Sequence, residues 1–182
     1  MDVHNVLAVD IQSVIKIKGG FCLKIRGFEK ISKEQFYKDV MFANDDLYDE
    51  YKLPQRATRK SAGYDFYTLY DFILKPGEEI KLPTGIKAYM QSNEKLDIRV
   101  RSSSGFKYNI RLKNQLGLID ADYYNNKNNE GHIWIALINE GNKDWAVKKG
   151  DAIAQGTFDT YLITDDDCPI EEERKGGIGS TN

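Results

Sequence analysis

Apolar and polar residues alternate in short runs along much of the chain. In KLDIRVRS, Leu96, Ile98 and Val100 alternate with charged residues, which predicts a half-buried strand whose opposite face is charged. HIWIALINE and AIAQGTFDTYLIT are further runs of strand length, and turn clusters such as KPGEE, NEGNKD and KKGD separate the runs. Many short strands punctuated by glycine and proline predict an all-β sandwich or barrel.

The N-terminal stretch SVIKIKGGFCLKIRG predicts a β-hairpin. Two strand-like runs flank Gly19 and Gly20, and a pair of glycines is a favoured two-residue connection between antiparallel strands. The basic residues of the stretch are then expected on the solvent face of the hairpin: Lys16, Lys18, Lys24 and Arg26.

Residues 33–52 interrupt the strand pattern with apolar residues at helical spacing. We predict one or two short helices here, with Ser32 and Gln35 as a capping box at the first N-terminus. Apolar helical stripes usually face a core, so we interpret the segment as a cover over a sheet face or barrel end. A partner-binding insertion is the alternative. The apolar residues of the stripe are Phe36, Val40, Leu47 and Tyr51.

Length and composition narrow the class of protein. A chain of 182 residues with 41% hydrophobic positions fits a single domain, residues 1–182, with a substantial core. The formal net charge of −2 argues against nucleic acid as a partner. Cys22 and Cys168 lie far apart without metal-ligand spacing, which fits free thiols in a reducing compartment. No run approaches the ~20 apolar residues of a membrane span, so we expect a cytoplasmic protein without membrane contact.

The stretch GLIDADYYNN, residues 117–126, is the first candidate for chemistry. It places two carboxylates, Asp120 and Asp122, and a tyrosine pair directly after apolar residues. By itself this pattern predicts a strand that runs into an acidic turn, because Asp and Asn side chains hydrogen-bond their own backbone. The rest of the chain decides whether the carboxylates do more than form a turn.

Five short stretches stand in order along the chain: SAGYDFYT (61–68), RSSSGFK (101–107), NQLGLIDADYY (114–124), GDAIAQGTF (150–158) and RKGGIGSTN (174–182). In this order and spacing they resemble the five motifs of the trimeric dUTP diphosphatases (dUTPases), over about residues 53–182. The resemblance implies a β-clip or jelly-roll barrel and a homotrimer with three sites at subunit interfaces. It also implies Mg-dependent hydrolysis of dUTP to dUMP and diphosphate, which keeps uracil out of DNA and supplies dUMP for dTMP synthesis.

The resemblance assigns the catalytic role to Asp120. A carboxylate can act as general base for the attacking water, which contributes ~10²–10⁴ in rate. Asp120 would also accept a hydrogen bond from the 3′-hydroxyl of deoxyribose. Tyr123 would pack against the sugar where a 2′-hydroxyl would clash, and Asp122 is interpreted as a turn residue.

Further positions are expected to bind the triphosphate and the base. The RSS segment supplies a guanidinium, hydroxyls and backbone N–H groups for the α and β phosphates, with Gln155 as another donor. Asn114 matches the position at which a tight hairpin backbone reads the uracil edge. The predicted substrate-binding residues of these segments are Arg101, Ser102, Ser103, Asn114, Gly117, Ile119, Tyr123 and Gln155.

The glycine-rich tail, residues 174–182, is expected to be a flexible arm that closes the site of another chain when substrate binds. Its substrate-binding residues would be Arg174, Gly179, Ser180 and Thr181. His4 and His132 are isolated, so no metal site built from protein ligands is expected. Mg²⁺ would bind the phosphate oxygens with mostly water as its other ligands.

Three positions depart from the family pattern. Ala152 stands where the family has an arginine that pairs with the aspartate of the first motif, here Asp65, so this structural aspartate needs another partner. Ile178 replaces the aromatic lid over uracil, with Tyr124 or His132 as conceivable substitutes. Asn125 replaces a glycine, and asparagine tolerates the left-handed conformation.

Two other functions remain open at this point. A dCTP deaminase of the same fold would need a glutamate in the strand after the third motif, where this chain has Ala136. The other candidate is a regulatory binding protein on the same scaffold, with the segment 33–52 as its partner surface. The roles of the N-terminal hairpin and helical segment, residues 1–52, lie outside the resemblance.

Overall fold

The computed structural model describes residues 14–17, 20–169, 174, 176 and 177. The strands are, in chain order, β1 (Val14–Ile17), β2 (Gly20–Leu23), β3 (Gly27–Lys30), β4 (Gln55–Arg56), β5 (Tyr64–Tyr67), β6 (Phe72–Leu74), β7 (Glu79–Pro83), β8 (Ile86–Tyr89), β9 (Glu94–Val100), β10 (Ile110–Leu112), β11 (Gly117–Asp120), β12 (Trp134–Asn139), β13 (Trp145–Val147) and β14 (Ala152–Thr160). The helices are α1 (Lys33–Asp39), α2 (Asp45–Glu50) and α3 (Ser102–Tyr108), and a 3₁₀ turn spans Ala121–Tyr123.

Two antiparallel sheets form the body of the fold. One has the strand order β10-β12-β7 and the other the order β11-β9-β14-β5-β4, and three two-stranded ribbons complete the arrangement: β1-β2, β13-β6 and β3-β8. The prediction of an all-β fold is confirmed. The inner faces of both sheets supply the core, whose fully buried members include Phe66, Leu96, Ile110, Ile135, Leu137 and Ile153.

The three strands predicted from periodicity are confirmed as β9, β12 and β14. One residue on the predicted charged face of β9 is not exposed to solvent: Asp97 is only 3% exposed. Both edges of β9 are paired, and its Asp97 Oδ2 accepts hydrogen bonds from Lys95 and Arg99, each at 3.1 Å. The face is charged as expected, but the two basic side chains cover the aspartate.

The N-terminal hairpin is confirmed with a different register. Ile17 lies opposite Gly20, so Gly20 begins β2 instead of belonging to the connection. The predicted solvent face is wrong for Lys24, whose side chain is mostly buried because it forms an ion pair with Glu29 and donates to the Tyr124 hydroxyl at 3.2 Å.

The predicted helices are confirmed as α1 and α2, and they cover the core. The Ser32 hydroxyl accepts from the Gln35 N–H at 3.1 Å, which is half of the expected capping box. The other half is absent, because the Gln35 amide donates to Asp39 and the Ser32 N–H donates to Glu130. The four residues of the apolar stripe are all buried: Phe36, Val40, Leu47 and Tyr51.

Helix α3 was not predicted from the sequence. It has no apolar stripe that a periodicity argument could detect, since Phe106 is 93% exposed and Ser104 is the buried residue of the helix. Asn109 ends it in the left-handed conformation, with φ of 55°. Asn125 also adopts this conformation, with a φ of 56°, which asparagine tolerates.

Candidate active site

A cavity of about 430 Å³ opens between the end of β10, strand β11 and the face of β12. Six of the residues that the sequence analysis assigned to substrate or catalysis line it. Ile98, Leu112, Ile133, Trp134 and Ala136 add an apolar wall. The assigned residues on the cavity wall are Asn114, Gly117, Ile119, Asp120, Tyr123 and Arg174.

The cavity forms where a tight turn joins two strands, β10 and β11, that belong to different sheets. The Gln115 N–H donates to the Leu112 carbonyl at 3.0 Å, and Gln115 itself has a φ of 61°. The tight turn of the predicted hairpin is present, but the prediction is wrong for the two strands that flank it, because they do not pair with each other. Strand β10 pairs with β12, and β11 pairs with β9. Because the two strands enter different sheets, the turn lies at the rim of the opening between them.

Asp120 is the last residue of β11, and its side chain is 44% exposed at the edge of the cavity. Arg174 donates from Nη2 to Asp120 Oδ2 at 2.5 Å and from Nε to Asp122 Oδ1 at 2.7 Å. Asp122 lies in the 3₁₀ turn as expected and also binds the arm. Within the one chain described here, these two carboxylates attract the guanidinium of Arg174, and closure of another chain's site by the arm stays a prediction.

Tyr123 forms a fixed wall of the cavity. The residue is 7% exposed, its hydroxyl donates to the His132 carbonyl at 3.0 Å, and it accepts from the Asn129 amide at 2.8 Å. Burial raises the pKa of the phenol, so the ring stays neutral. The arm passes directly over it, since a Cβ at Gly177 would lie 2.5 Å from a ring carbon of Tyr123.

The residues assigned to the phosphates form a second group outside the cavity. Arg101 precedes α3 and pairs through Nε with Asp65 Oδ1 at 3.0 Å, which supplies the partner that Ala152 cannot provide. Ser102 and Ser103 are exposed in the first turn of α3. Gln155 lies opposite Asp65 in the β14–β5 ladder and donates to the Val100 carbonyl at 3.3 Å.

Neither conceivable substitute for the aromatic lid lines the cavity. The Tyr124 hydroxyl donates to Glu29 at 2.5 Å, and the His132 side chain is fully buried. The remaining positions assigned to the arm lie outside the described residues: Ile178, Gly179, Ser180 and Thr181.

Three residues that were not predicted from the sequence also line the cavity: Trp134, Lys81 and Lys113. Lys81 Nζ lies 4.9 Å from the centre of the Trp134 ring. One signal could have identified the tryptophan, because alternate residues of a strand share a face. Ala136 occupies the position at which a dCTP deaminase would need its glutamate. Trp134 lies two residues earlier, so the same alternation places it on the same face of β12.

Within 14–17, 20–169, 174, 176 and 177, no group of three or more His, Cys, Asp or Glu side chains is arranged to hold a metal ion. No helix in this part of the chain has both the length and the apolar character to cross a membrane. Cys168 is an exposed free thiol.

Acid is expected to destabilise the protein through His132. Burial lowers the pKa of this imidazole below 6.5, although Asp39 opposes the shift. The unfolded chain therefore takes up the proton first as the pH falls, and the free energy of unfolding should drop as the pH falls below 6.5, by up to about 1.4 kcal/mol per pH unit. Urea denaturation at several pH values measures this slope. His132→Gln should flatten it, and the same slope in that variant would contradict the assignment.

Comparison with known proteins agrees with this geometry. The dUTPase family model matches residues 49–182. The deoxyuridine 5′-triphosphate nucleotidohydrolase of Lactococcus lactis is 41% identical over 160 residues, which cover 87% of this chain and 99% of the relative, so that alignment extends into the N-terminal part. The Clostridium tetani protein of the same name is 37% identical over 74% of this chain and 92% of its own.

Among solved structures, the dUTPase from Streptococcus mutans superposes with a TM-score of 0.61 and 37% identity, over 76% of this chain and 98% of that one. The family model, the curated relatives and the solved structure thus point to one family. The chain belongs to the dUTPase family.

Proposed function

We propose that the protein hydrolyses dUTP to dUMP and diphosphate, with Asp120 as the general base. The observation that carries the proposal is the composition of the cavity wall. Among the described residues that line it, Asp120 is the one carboxylate, and it lies between the turn at Asn114 and the ring of Tyr123. A largely apolar cavity with a single carboxylate among its described wall residues suits a nucleoside whose phosphates extend outward.

Asp120 would take a proton from a water molecule, whose oxygen then attacks the α-phosphorus. The bond between the α-phosphorus and its bridging oxygen breaks, and diphosphate leaves. The partial exposure of the carboxylate supports this role, since water can reach it. Arg174 pairs with Asp120, and the substrate phosphates would offer its guanidinium a stronger anionic partner.

Selectivity would come from two walls of the cavity. The tight turn through Asn114 and Gly117 offers backbone groups to the uracil edge, and a Cβ at Gly117 would already lie 3.1 Å from Ile98. This close packing supports a fixed position for Gly117, and a fixed turn would exclude a thymine methyl. The buried ring of Tyr123 supports exclusion of a ribose 2′-hydroxyl.

The separation of the two residue groups supports a homotrimer with shared sites. Arg101, Ser102, Ser103 and Gln155 do not line the cavity that holds Asp120. The site is therefore incomplete within one chain, and we infer that a neighbouring subunit supplies the phosphate-binding group. Rotational symmetry would then build the same site at each interface.

Mg²⁺ is proposed to arrive bound to the triphosphate. The donor set fits this arrangement, because the carboxylates of Asp120 and Asp122 face Arg174 instead of forming a cage for a cation. On the phosphate oxygens the ion would neutralise part of the substrate charge. Location in the cytoplasm remains a prediction from the sequence.

The two alternative functions receive less support. Deamination of dCTP would need a carboxylate at position 136, where the cavity presents Ala136. A purely regulatory role for the segment 33–52 is disfavoured, since its apolar stripe is buried in the core instead of presented to a partner.

Product analysis with four nucleotides tests the proposal. Incubated with Mg²⁺, the protein should convert dUTP to dUMP and diphosphate while dTTP, dCTP and UTP remain largely intact, because the turn and Tyr123 select base and sugar. Chromatography of the products provides the measurement. Equal turnover of UTP would contradict sugar selection by Tyr123, and formation of dUTP from dCTP would favour the deaminase.

A further inference from the structure

The helical segment is attached to the loop that follows Tyr123. Glu130 in this loop accepts from the N–H and the hydroxyl of Ser32, at 2.9 and 2.5 Å, directly before α1. Lys87 links the loop to β8 by donating to Asn125 at 2.7 Å and to Glu130 at 3.3 Å. The first turn of α1 and the loop 125–132 thus form one connected unit.

A buried histidine joins the other end of α1 to the same loop. His132 has no exposed surface, and its Nδ1 lies 2.7 Å from Oδ2 of Asp39, the last residue of α1. Its Nε2 accepts the backbone N–H of Gly85 at 2.9 Å. Because Nε2 accepts, the proton of the neutral ring resides on Nδ1 and is donated to Asp39.

Both partners of the imidazole are held in place by the helical segment. Gln35, one turn earlier on α1, donates its amide to Asp39 Oδ2 at 2.7 Å. The Tyr51 hydroxyl donates a hydrogen bond to the Gly85 carbonyl at 2.9 Å, and Tyr51 directly follows α2. Residues of the segment 35–51 therefore restrain the orientation of the His132 ring, although none of those residues lines the cavity.

The loop passes this constraint on to the cavity wall. The Tyr123 hydroxyl donates to the carbonyl of His132 and accepts from Asn129, so both of its hydrogen bonds end in the loop. Gly131 lies so close that a Cβ there would be 2.5 Å from the Tyr123 carbonyl oxygen. Tyr123 has little freedom to move unless the loop moves with it.

We propose that Asp39 and His132 are positioning residues for Tyr123, through which the N-terminal helical segment sets the discrimination between deoxyribose and ribose substrates. This inference rests on the proposed function. Exclusion of a 2′-hydroxyl is a steric effect, and it requires the ring to stay within a few tenths of an ångström of one position. Neither Asp39 nor His132 needs to touch the substrate to act in this way.

The test compares substrate preference in variants of Asp39. Asp39→Ala removes the acceptor of the His132 proton, and the ratio of kcat/KM for dUTP to that for UTP should fall by about tenfold, within the range expected for loss of a steric filter. Asp39→Asn keeps an oxygen that can accept from both Gln35 and His132, so it should retain the ratio within about twofold.

The matched control is Val40→Ala, at the next position. Val40 is buried and its aliphatic side chain takes no part in hydrogen bonding, so its truncation should lower the thermal midpoint and leave the preference for dUTP unchanged. If Asp39→Ala does not fold, Gln35→Ala removes one of the two donors to Asp39 and should shift the ratio in the same direction by a smaller factor.

An unchanged ratio in the folded variants of Asp39 and Gln35, with only the thermal midpoint lowered, would overturn this inference and leave the proposed function intact. A wild-type protein that does not cleave dUTP would instead overturn the proposed function. A ratio lowered equally by Val40→Ala would also overturn the specific role of the Asp39–His132 pair.

Discussion

Replacing Asp120 by asparagine is expected to lower the turnover of dUTP by about 10² or more while binding of the triphosphate is largely retained. The amide oxygen can still accept a hydrogen bond from the sugar hydroxyl, but it cannot take the proton of the attacking water. Turnover should therefore fall much more than affinity.

The structure makes this a clean substitution. Asp120 lies at the end of β11, its side chain is 44% exposed, and it makes no capping hydrogen bond to the 3₁₀ turn that follows. The fold should not depend on its charge. Steady-state kinetics with dUTP and titration with a non-hydrolysable dUTP analogue separate the effects on kcat and on binding.

Asp122→Asn is the matched control for this experiment. Asp122 is two residues away, is more exposed at 61%, and also pairs with Arg174, so it shares the electrostatic surroundings of Asp120. Because it is absent from the cavity wall, its substitution should change turnover little. Unchanged turnover in Asp120→Asn together with a large loss in Asp122→Asn would move the general base to Asp122.

Two variants that are each nearly inactive are expected to restore activity when their subunits mix. Arg101→Gln removes the guanidinium from the phosphate-binding group, and loss of one such donor should lower turnover by about 10². Asp120→Asn removes the base. If the two groups of one site come from different chains, the Arg101→Gln chain still offers its intact Asp120 to an intact Arg101 of the Asp120→Asn chain.

The size of the recovery can be stated in advance. In a symmetric trimer with random exchange of equal amounts, about one quarter of the sites should combine both intact groups. Activity after mixing should approach that fraction of the wild-type value, with native mass spectrometry to confirm mixed trimers. Activity that stays near zero in proven mixed trimers would mean that Arg101 and Asp120 serve within one chain.

A control pair sharpens the interpretation. Tyr123 lines the same cavity as Asp120, so the variants Tyr123→Ala and Asp120→Asn damage the same half of the site. Their mixture should not recover, because no combination of chains rebuilds that half. Glutamine at position 101 is preferred to alanine, since its amide can still donate to the mostly buried Asp65.

The elements of this fold were predictable where the information is local. Strands β9, β12 and β14 follow from runs of alternating or continuous apolar residues, and α1 and α2 follow from helical spacing after Ser32. Period and capping depend on residues a few positions apart, which the sequence displays directly. Helix α3 lacked such a pattern and was missed for that reason.

The central residues of the candidate site could also be predicted, because most of them lie in one short stretch of the sequence. Asn114, Asp120 and Tyr123 lie within ten residues, and a tight turn followed by a short strand suffices to bring them to one cavity. The order of five motifs then identified the family. The distant residues that lie opposite them in the structure could not be predicted in the same way.

Only the tertiary structure decided the long-range pairs. Arg101 became the partner of Asp65, Trp134 and Lys81 joined the cavity wall, and His132 met Asp39 from 93 positions away. A chain of alternating strands fixes which side of a sheet a residue occupies, but not which distant segment covers that side. Which segment covers that side depends on how the sheets, the loop 125–132 and the helical segment pack together. Contacts between remote segments produce no periodic pattern in the sequence, so they could not be predicted from it.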